Sequence, residues 1–507
     1  MGRNKINFFV FFTAVFVFLS CAVTAGVVKD VAIRKLDHLS PNTIGTHTGP
    51  IGLWANSDPD DLKDLFHKIS EIEWTPGERN ILVHLLLTDT TEDVWPISDQ
   101  PDDTTFLTAR VEALFHMGAF RAVSELVRYV PEKYKNSTIT LYDFYARFFV
   151  GDVESACRDI ENRPMEQADK IQLICLNTLK DKSRAVLAYD LYRENTSDDD
   201  VLFTALADTL FQERPFKAPL EITLKPYHLP FIASLNDKDG LLRRSNAPWV
   251  TAFTAYSSKL PIIMRVQALE KMGGNPADFE KLYLALAKEK ETGRVFERAV
   301  AVQRMKNAPT SAELGKALKE FVDLARQDGI FPQTTLFLAD MIRSVKPTAE
   351  NNSLADYAVD IYFGANELAF VYDWYRVLPK DSFDALEKAP IVHASGMGLP
   401  MMDQLFDLCQ AHEKRCHRLV ERLTPYFVIK NIENYTSLKP LSVLAYPPVV
   451  VSQIRHLKDT MKEGEALIKG MMLLHASPLF EGELLRLIQS MLPKGASVML
   501  ERERMLR

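Results

Sequence analysis

The stretch Gly151-Asp152-Val153-Glu154-Ser155-Ala156 decides the fold of this chain, because it joins two apolar segments of helical period. A turn residue, four variable residues and an alanine is typical of the tight link within an antiparallel helix pair. The spacing recurs at residues 180–185 and 364–369, and at residues 117–122 with its glycine moved by one place. A small residue is expected where two helices approach closely, since a larger side chain would force them apart. The predicted turn anchors are Gly118, Ala122, Gly151, Ala156, Ala185, Gly364 and Ala369.

The spacing of these turns predicts an all-α fold of stacked antiparallel helix pairs, an α-solenoid. Ala122, Ala156 and Ala185 are separated by 34 and 29 residues (156 − 122 and 185 − 156), within the period range of helix-pair repeats. The Gly-Asp turn resembles the inner turn of tetratricopeptide repeats across residues 105–194 and again across residues 357–378. The large residues that those repeats carry in their first helix are only loosely represented. A regular superhelix and an irregular array of helix pairs both remain open.

The first 25 residues have the pattern of a signal peptide. Arg3 and Lys5 precede an apolar run at residues 8–19, which is too short for the roughly 20 residues that a bilayer requires. Small or compact residues at positions 23 and 25 predict cleavage before Gly26. The alternative is a lipoprotein cut before Cys21. The protein is therefore expected to be exported, to the periplasm of a Gram-negative bacterium, with no membrane span after cleavage.

Changes in composition predict the domain organisation that follows the signal peptide. Four prolines, at positions 215, 219, 226 and 230, interrupt the helical period, because interior proline is incompatible with a helix. We therefore expect a Pro-rich, extended crossing segment at residues 214–250, between a helical-repeat domain at 26–213 and a middle helical domain at 251–390. A C-terminal helical domain is expected at residues 391–507.

The composition restricts the classes of partner. The chain has a formal charge of −7, and its apolar fraction of 47% and charged fraction of 25% are ordinary for a folded protein. An acidic balance without a basic run argues against nucleic acid and anionic lipid headgroups as partners. No residue pattern indicates a cofactor, and the Asp198-Asp199-Asp200 run is expected to be a solvated loop.

The cysteines predict one disulfide. Cys157 and Cys175 flank an expected hairpin, and the even number of four cysteines that remains after cleavage before Gly26 favours their pairing in an exported protein. The bridge requires the second helix to start late, around residues 166–169; two buried free thiols are the alternative. Cys409, His412 and Cys416 share one helix face, but the two sulfurs would be separated by about 10.5 Å along the axis, too far for one zinc ion. We expect them to pack rather than to bind a metal.

Four aromatic residues surround the predicted crossing segment. They could line a peptide-binding groove, since aromatic side chains are enriched in partner-binding surfaces. Alternatively, they fix an otherwise loose segment to the helical core. These residues are Phe211, Phe216, Tyr227 and Phe231.

The mature chain also resembles a family of exported alphaproteobacterial helical-repeat proteins, some of which carry antifreeze-type names. The resemblance rests on Leu53-Trp54, on Gly151-Asp152 followed by Ala156-Cys157, on Cys175, and on Gly464-Glu465-Ala466-Leu467. It implies export and helical repeats, and it implies no activity.

The sequence therefore favours a protein that acts by binding. The concave face of stacked helix pairs offers a long surface for an extended partner. We expect a non-enzymatic scaffold or adaptor for cell-envelope proteins or peptides. The alternatives are a peptidoglycan- or glycan-acting enzyme on an α-helical superstructure, for which pairs such as Glu71 and Glu73 would be candidates, and a purely structural envelope protein.

Overall fold

A computed structural model shows the all-α fold that the turn spacing predicts. It describes residues 41, 44–46, 53–54, 56–74, 76–89, 103–161, 167–195, 200–219, 222–235, 239–365, 367–378, 455–459, 462–476 and 490–491. None of these residues lies in a β-strand. Among the helices formed by these residues, none has the length and apolarity needed to cross a bilayer.

From residue 105 to the crossing segment, successive helices are packed neighbours joined by short connections, whereas the first helix packs mainly on the third. The helices up to the crossing segment are α1 (Pro59–Glu71), α2 (Pro76–Leu87), α3 (Thr105–His116), α4 (Phe120–Arg128), α5 (Ser137–Phe149), α6 (Val153–Ile160), α7 (Ala168–Thr178), α8 (Lys182–Asn195) and α9 (Val201–Phe211). Side-chain caps fix several starts: Asp58 accepts from the Asp60 N–H at 2.8 Å, and Asn136 accepts from the Ile139 N–H at 2.9 Å.

The later helices continue the same pattern. They are α10 (His228–Ile232), α11 (Asp239–Leu242), α12 (Pro248–Tyr256), α13 (Ile262–Met272), α14 (Pro276–Leu286), α15 (Arg294–Lys306), α16 (Ser311–Gln327), α17 (Phe331–Ile342), α18 (Asn352–Gly364), α19 (Leu368–Tyr375) and α20 (Glu463–Ala476). The predicted crossing segment is irregular at residues 214–219 and 222–227, but α10, α11 and the start of α12 lie inside it. Pro230 lies in the first turn of α10, where the missing N–H costs no helical hydrogen bond.

Three of the predicted turns share one backbone geometry. Gly118, Gly151 and Lys180 have φ of 73°, 98° and 64°, the left-handed region that ends a helix. In each turn the next N–H reaches back five residues, as from Asp152 to the Arg147 carbonyl at 3.0 Å. The equivalent bonds join Ala119 to Leu114 at 2.8 Å and Asp181 to Leu176 at 3.0 Å. This Schellman motif is the physical basis of the repeated spacing.

The fourth predicted turn lies two residues later than its spacing predicts, so the predicted roles of Gly364 and Ala369 are wrong. Gly364 is the last residue of α18, and the bond that closes the turn runs from the Glu367 N–H to the Tyr362 carbonyl at 2.9 Å. Ala369 is exposed, and Val371 is buried on α19 instead. A Cβ on Gly364 would lie 2.4 Å from Thr335, so this glycine allows α17 and α18 to approach rather than forming the turn.

The other alanine anchors are buried as expected. Ala156 and Ala185 are 1% and 0% exposed and lie five residues after their turn residues. In the first copy Val123 occupies the equivalent position, and Ala122 packs beside it at 9% exposure. The spacing therefore marks a packed position, which valine also fills.

Buried side chains form two hydrophobic clusters. The first contains residues of α1–α12 together with Ala466, Leu467 and Ile468 of α20, and the second extends from Ala255 to Leu378. They adjoin at α12 and α13, close to the predicted boundary at residue 250. Of the predicted C-terminal domain, the structure describes residues 455–459, 462–476 and 490–491. Among them, α20 packs on the N-terminal helices.

Candidate ligand-binding cleft

A shallow cleft, open to solvent and enclosing only about 30 Å³, lies where five segments of the chain converge. These segments are the loop after α1, the start of α2, the turn at Gly118, the start of α12 and the end of α13. The lining residues are Ile72, Glu73, Trp74, Arg79, Met117, Asn246, Pro248, Thr251, Lys271 and Met272.

Gly118 lets the first repeat turn form one wall of this cleft. A Cβ at this position would lie 2.6 Å from the Cβ of Ala252 and 2.9 Å from the Pro248 carbonyl oxygen. Only glycine therefore allows the turn to rest on α12 while keeping a φ of 73°. This contact places the carbonyl of Met117 at the cleft, where it accepts a hydrogen bond from Arg79 Nε at 2.9 Å.

Arg79 is the main charged group of the cleft. Burial lowers the pKa of its guanidinium, and the neighbouring Tyr256 acts in the opposite direction. Among the described residues no carboxylate forms an ion pair with Arg79, and its one hydrogen bond uses Nε. A partly desolvated guanidinium without a carboxylate is costly, and an anion that enters the cleft would offset that cost.

Further cations surround Arg79. Lys271 forms a 3.0 Å ion pair with Glu73, and both side chains are more than 40% exposed, which makes the pair weak. Arg121 lies over the Tyr256 ring at 5.5 Å and pairs with Asp278 at 3.5 Å. The pKa of Arg265 is lowered by burial, opposed by Asp278. The residues that line the cleft thus include two cations, Arg79 and Lys271, and one carboxylate, Glu73.

The apolar walls are held rigidly. Trp74 is 7% exposed and its indole N–H donates to the Ile69 carbonyl at 2.7 Å, which fixes the ring. His475 of α20 packs on Trp74 at 4.9 Å and pairs with Glu78 at 2.9 Å. Met117 and Met272 complete the apolar lining. The arrangement can accept a carboxylate beside an apolar side chain.

The predicted disulfide is present. Cys157 of α6 and Cys175 of α7 are bonded, with their Cα atoms 5.8 Å apart. The bridge is possible because α7 begins at Ala168, the late start that the sequence required. Both cysteines belong to the first hydrophobic cluster, so the bond fixes this hairpin within the core.

The four predicted groove aromatics do not form a groove. Phe211, Tyr227 and Phe231 are 6%, 3% and 0% exposed, and Phe216 packs against the same cluster. The ring of Phe231 lies 5.9 Å from that of Phe211 and 5.5 Å from that of Phe203. The groove interpretation is therefore wrong, and these residues fix the crossing segment to the core.

The acidic run also contributes a structural residue. Asp200 caps α9 by accepting from the Phe203 N–H at 2.9 Å, and it binds Tyr227 at 2.6 Å and His228 at 3.1 Å. Burial raises the pKa of Asp200, but the hydrogen bonds from His228 and Tyr227 outweigh it and hold that pKa well below its usual range. Asp200 is thus part of an anchor for the crossing segment rather than a solvated loop. Asp198 and Asp199 lie outside the described residues.

The expected packing of Cys409, His412 and Cys416 lies outside the described residues, in the stretch between residues 379 and 454. Within the described part of the chain, no group of three or more His, Cys, Asp or Glu side chains could hold a metal ion. Glu71 and Glu73 are both exposed.

The Leu53-Trp54 pair and the start of α20 meet in space. The Gly464 N–H donates to the Leu53 carbonyl at 2.7 Å, and a Cβ on Gly464 would lie 2.5 Å from the Trp54 ring. Trp54 is fully buried against Phe66 and Phe106, with centroid distances of 5.4 and 5.8 Å. Glycine at this position therefore lets α20 dock on the N-terminal helices.

Sequence reasoning missed the cleft. Arg79, Met117 and Lys271 are far apart along the chain, and of the three only Met117 belongs to a motif, the first repeat turn. The usable signal was Gly118 itself, which marked a turn but not the helix on which that turn rests. Comparison with known proteins gives no independent guide: no family model, curated protein or solved structure matches this chain.

Proposed function

We propose that this protein is an exported, non-enzymatic helical-repeat scaffold or adaptor that binds a cell-envelope protein in the periplasm. The observation that carries the proposal is the cleft at Arg79, where a partly desolvated cation lies beside rigid apolar walls without a carboxylate partner. Such a site suits the binding of an anionic ligand. The signal-peptide pattern and the disulfide support the compartment.

The buried carboxylates favour binding over glycan hydrolysis. A glycosidase usually places two carboxyl groups on either side of the bond that it cleaves. Here each of four buried carboxylates is engaged by a cationic or histidine side chain of the protein itself. Those pairs are Glu78 with His475 at 2.9 Å, Glu270 with Arg298 at 2.8 Å, Asp360 with Arg326 at 2.6 Å and Glu465 with Lys469 at 3.2 Å.

One cluster supports the alternative of a glycan-acting enzyme. Burial raises the pKa of Glu112, opposed by Lys63 and His67, and burial together with His67 lowers the pKa of His116 to about 4. His116 Nε2 lies 3.2 Å from the Tyr142 hydroxyl. Perturbed titratable groups that lie close together are a feature of active sites. In this alternative Glu112 would be the proton donor.

Two assays on the mature protein separate these functions. We expect chemical crosslinking in an envelope extract to enrich a defined partner, and we expect purified muropeptides to remain intact. Cleavage of muropeptides that Glu112→Gln abolishes, with no enriched partner, would overturn the scaffold proposal in favour of the enzyme. Neither cleavage nor an enriched partner would leave a purely structural envelope role and would equally reject the scaffold.

A further inference from the structure

We infer that the cleft at Arg79 takes an acidic peptide segment of the partner, which rests on the scaffold function proposed above. A carboxylate of the segment binds Arg79, and a neighbouring apolar side chain rests on the half-buried residues at the edge of the cleft, Ile72, Pro248 and Met272.

The geometry of Arg79 suits a carboxylate. A guanidinium carries five N–H donors, and the hydrogen bond to the Met117 carbonyl uses only the one on Nε. That bond fixes the plane of the group and leaves both Nη atoms for a bidentate carboxylate. A guanidinium group that is already held in place loses little side-chain entropy when it binds a carboxylate.

The lining of the cleft favours a peptide over a simple anion. Five of the ten lining residues are apolar, and three of them, Ile72, Pro248 and Met272, are half-buried, which leaves apolar surface that a phosphate would not use. The methionine side chain adapts to apolar groups of different shape, so a leucine beside the acidic residue can rest on this surface. A short peptide with an acidic residue beside an apolar one matches both the cationic group and the apolar surface of the cleft.

The surrounding charges act in the same direction. Lys271 is exposed and held only by its surface pair with Glu73, so it can exchange that partner for a second carboxylate of the ligand. Arg79 and Lys271 together outnumber Glu73 among the lining residues, so the cleft carries a net positive charge. This local excess opposes the net negative charge of the chain. Binding should therefore weaken as salt screens the exposed cations.

The test uses the full mature protein and a fluorescein-labelled peptide that alternates glutamate with leucine. We expect saturable binding by fluorescence anisotropy, at least about tenfold weaker for the peptide with glutamine in place of glutamate. Arg79→Gln should weaken binding by at least about tenfold, whereas Lys271→Gln should have a smaller effect. Arg128→Gln, which removes an exposed arginine of α4, is the matched control and should leave binding unchanged.

Equal binding of both peptides, or equal loss in Arg79→Gln and Arg128→Gln, would overturn the inference. Circular dichroism melting of each variant excludes misfolding, and Lys271→Gln tests the same site through a residue whose side chain is exposed. If envelope partners still crosslink to Arg79→Gln, the scaffold function stands and the acidic-peptide site fails. If the peptide binds at Arg79 but no envelope partner is captured, the acidic-peptide site stands and the scaffold function fails.

Discussion

Gly118 and Gly151 form a matched pair of substitutions that tests how the first repeat turn packs. Both residues end a helix with positive φ, 73° and 98°, in the same hydrogen-bonded turn. They differ in their surroundings: a Cβ on Gly118 would overlap Ala252 and Pro248 of α12, whereas a Cβ on Gly151 has nothing within 4 Å. Alanine at each position therefore separates the conformational cost from the packing cost.

The magnitudes follow from these two terms. Placing alanine in the left-handed region costs about 1–2 kcal/mol, and this is the whole expected loss for Gly151→Ala. Gly118→Ala carries the same loss plus about 1–3 kcal/mol for overpacking against α12. Lys180, at a φ of 64° in the equivalent turn, shows that a Cβ is tolerated there.

Urea unfolding of the two variants, followed by circular dichroism, measures the difference. We expect Gly118→Ala to lower the free energy of unfolding by about 1–3 kcal/mol more than Gly151→Ala. The peptide affinity of Gly118→Ala should also fall, because the turn positions Met117 and hence Arg79. Equal losses, or a larger loss for Gly151→Ala, would refute the contact between this turn and α12.

Three further predictions concern the core. Replacing Cys157 and Cys175 with serine should cost about 3 kcal/mol for a pair separated by 18 residues, and unfolded, unreduced wild-type protein should not titrate these two thiols. Arg298→Met should cost about 3–5 kcal/mol in urea unfolding, because it leaves Glu270 buried without its cation; a loss below 1 kcal/mol would count against that pair. Burial lowers the folded-state pKa of His116 from 6.5 to about 4, so its contribution is present above pH 6.5 and is lost as pH falls towards 4. The loss is at most about 3 kcal/mol, and His116→Gln should make stability less dependent on pH across this window; an unchanged dependence would contradict the burial.

The local features of the fold were predictable from the sequence. The turns at Gly151 and Lys180 follow from helix-ending geometry within six residues, and the disulfide follows from one hairpin. The turn near Gly364 was placed two residues early, because a glycine needed for helix packing looks the same in sequence as a glycine needed for a turn.

The candidate site was not predictable, because it depends on distant contacts. Arg79 and the Met117 carbonyl are separated by 38 residues, and Lys271 comes from a different helix of the chain. The aromatic residues near the crossing segment carry the composition of a binding surface, yet Tyr227 and Phe231 are buried. Composition alone does not distinguish a core aromatic from a surface one.

Site-specific photo-crosslinking in living cells tests most directly whether the protein binds its partner through the cleft. A photo-crosslinking phenylalanine replaces Asn246, an exposed cleft residue, and in a second variant it replaces Leu187, an apolar residue of α8 that is 61% exposed. We predict an adduct from position 246 that maps to an acidic segment of an envelope protein and is lost in Arg79→Gln. An adduct from position 187 alone, or one at position 246 that persists in Arg79→Gln, would contradict the account.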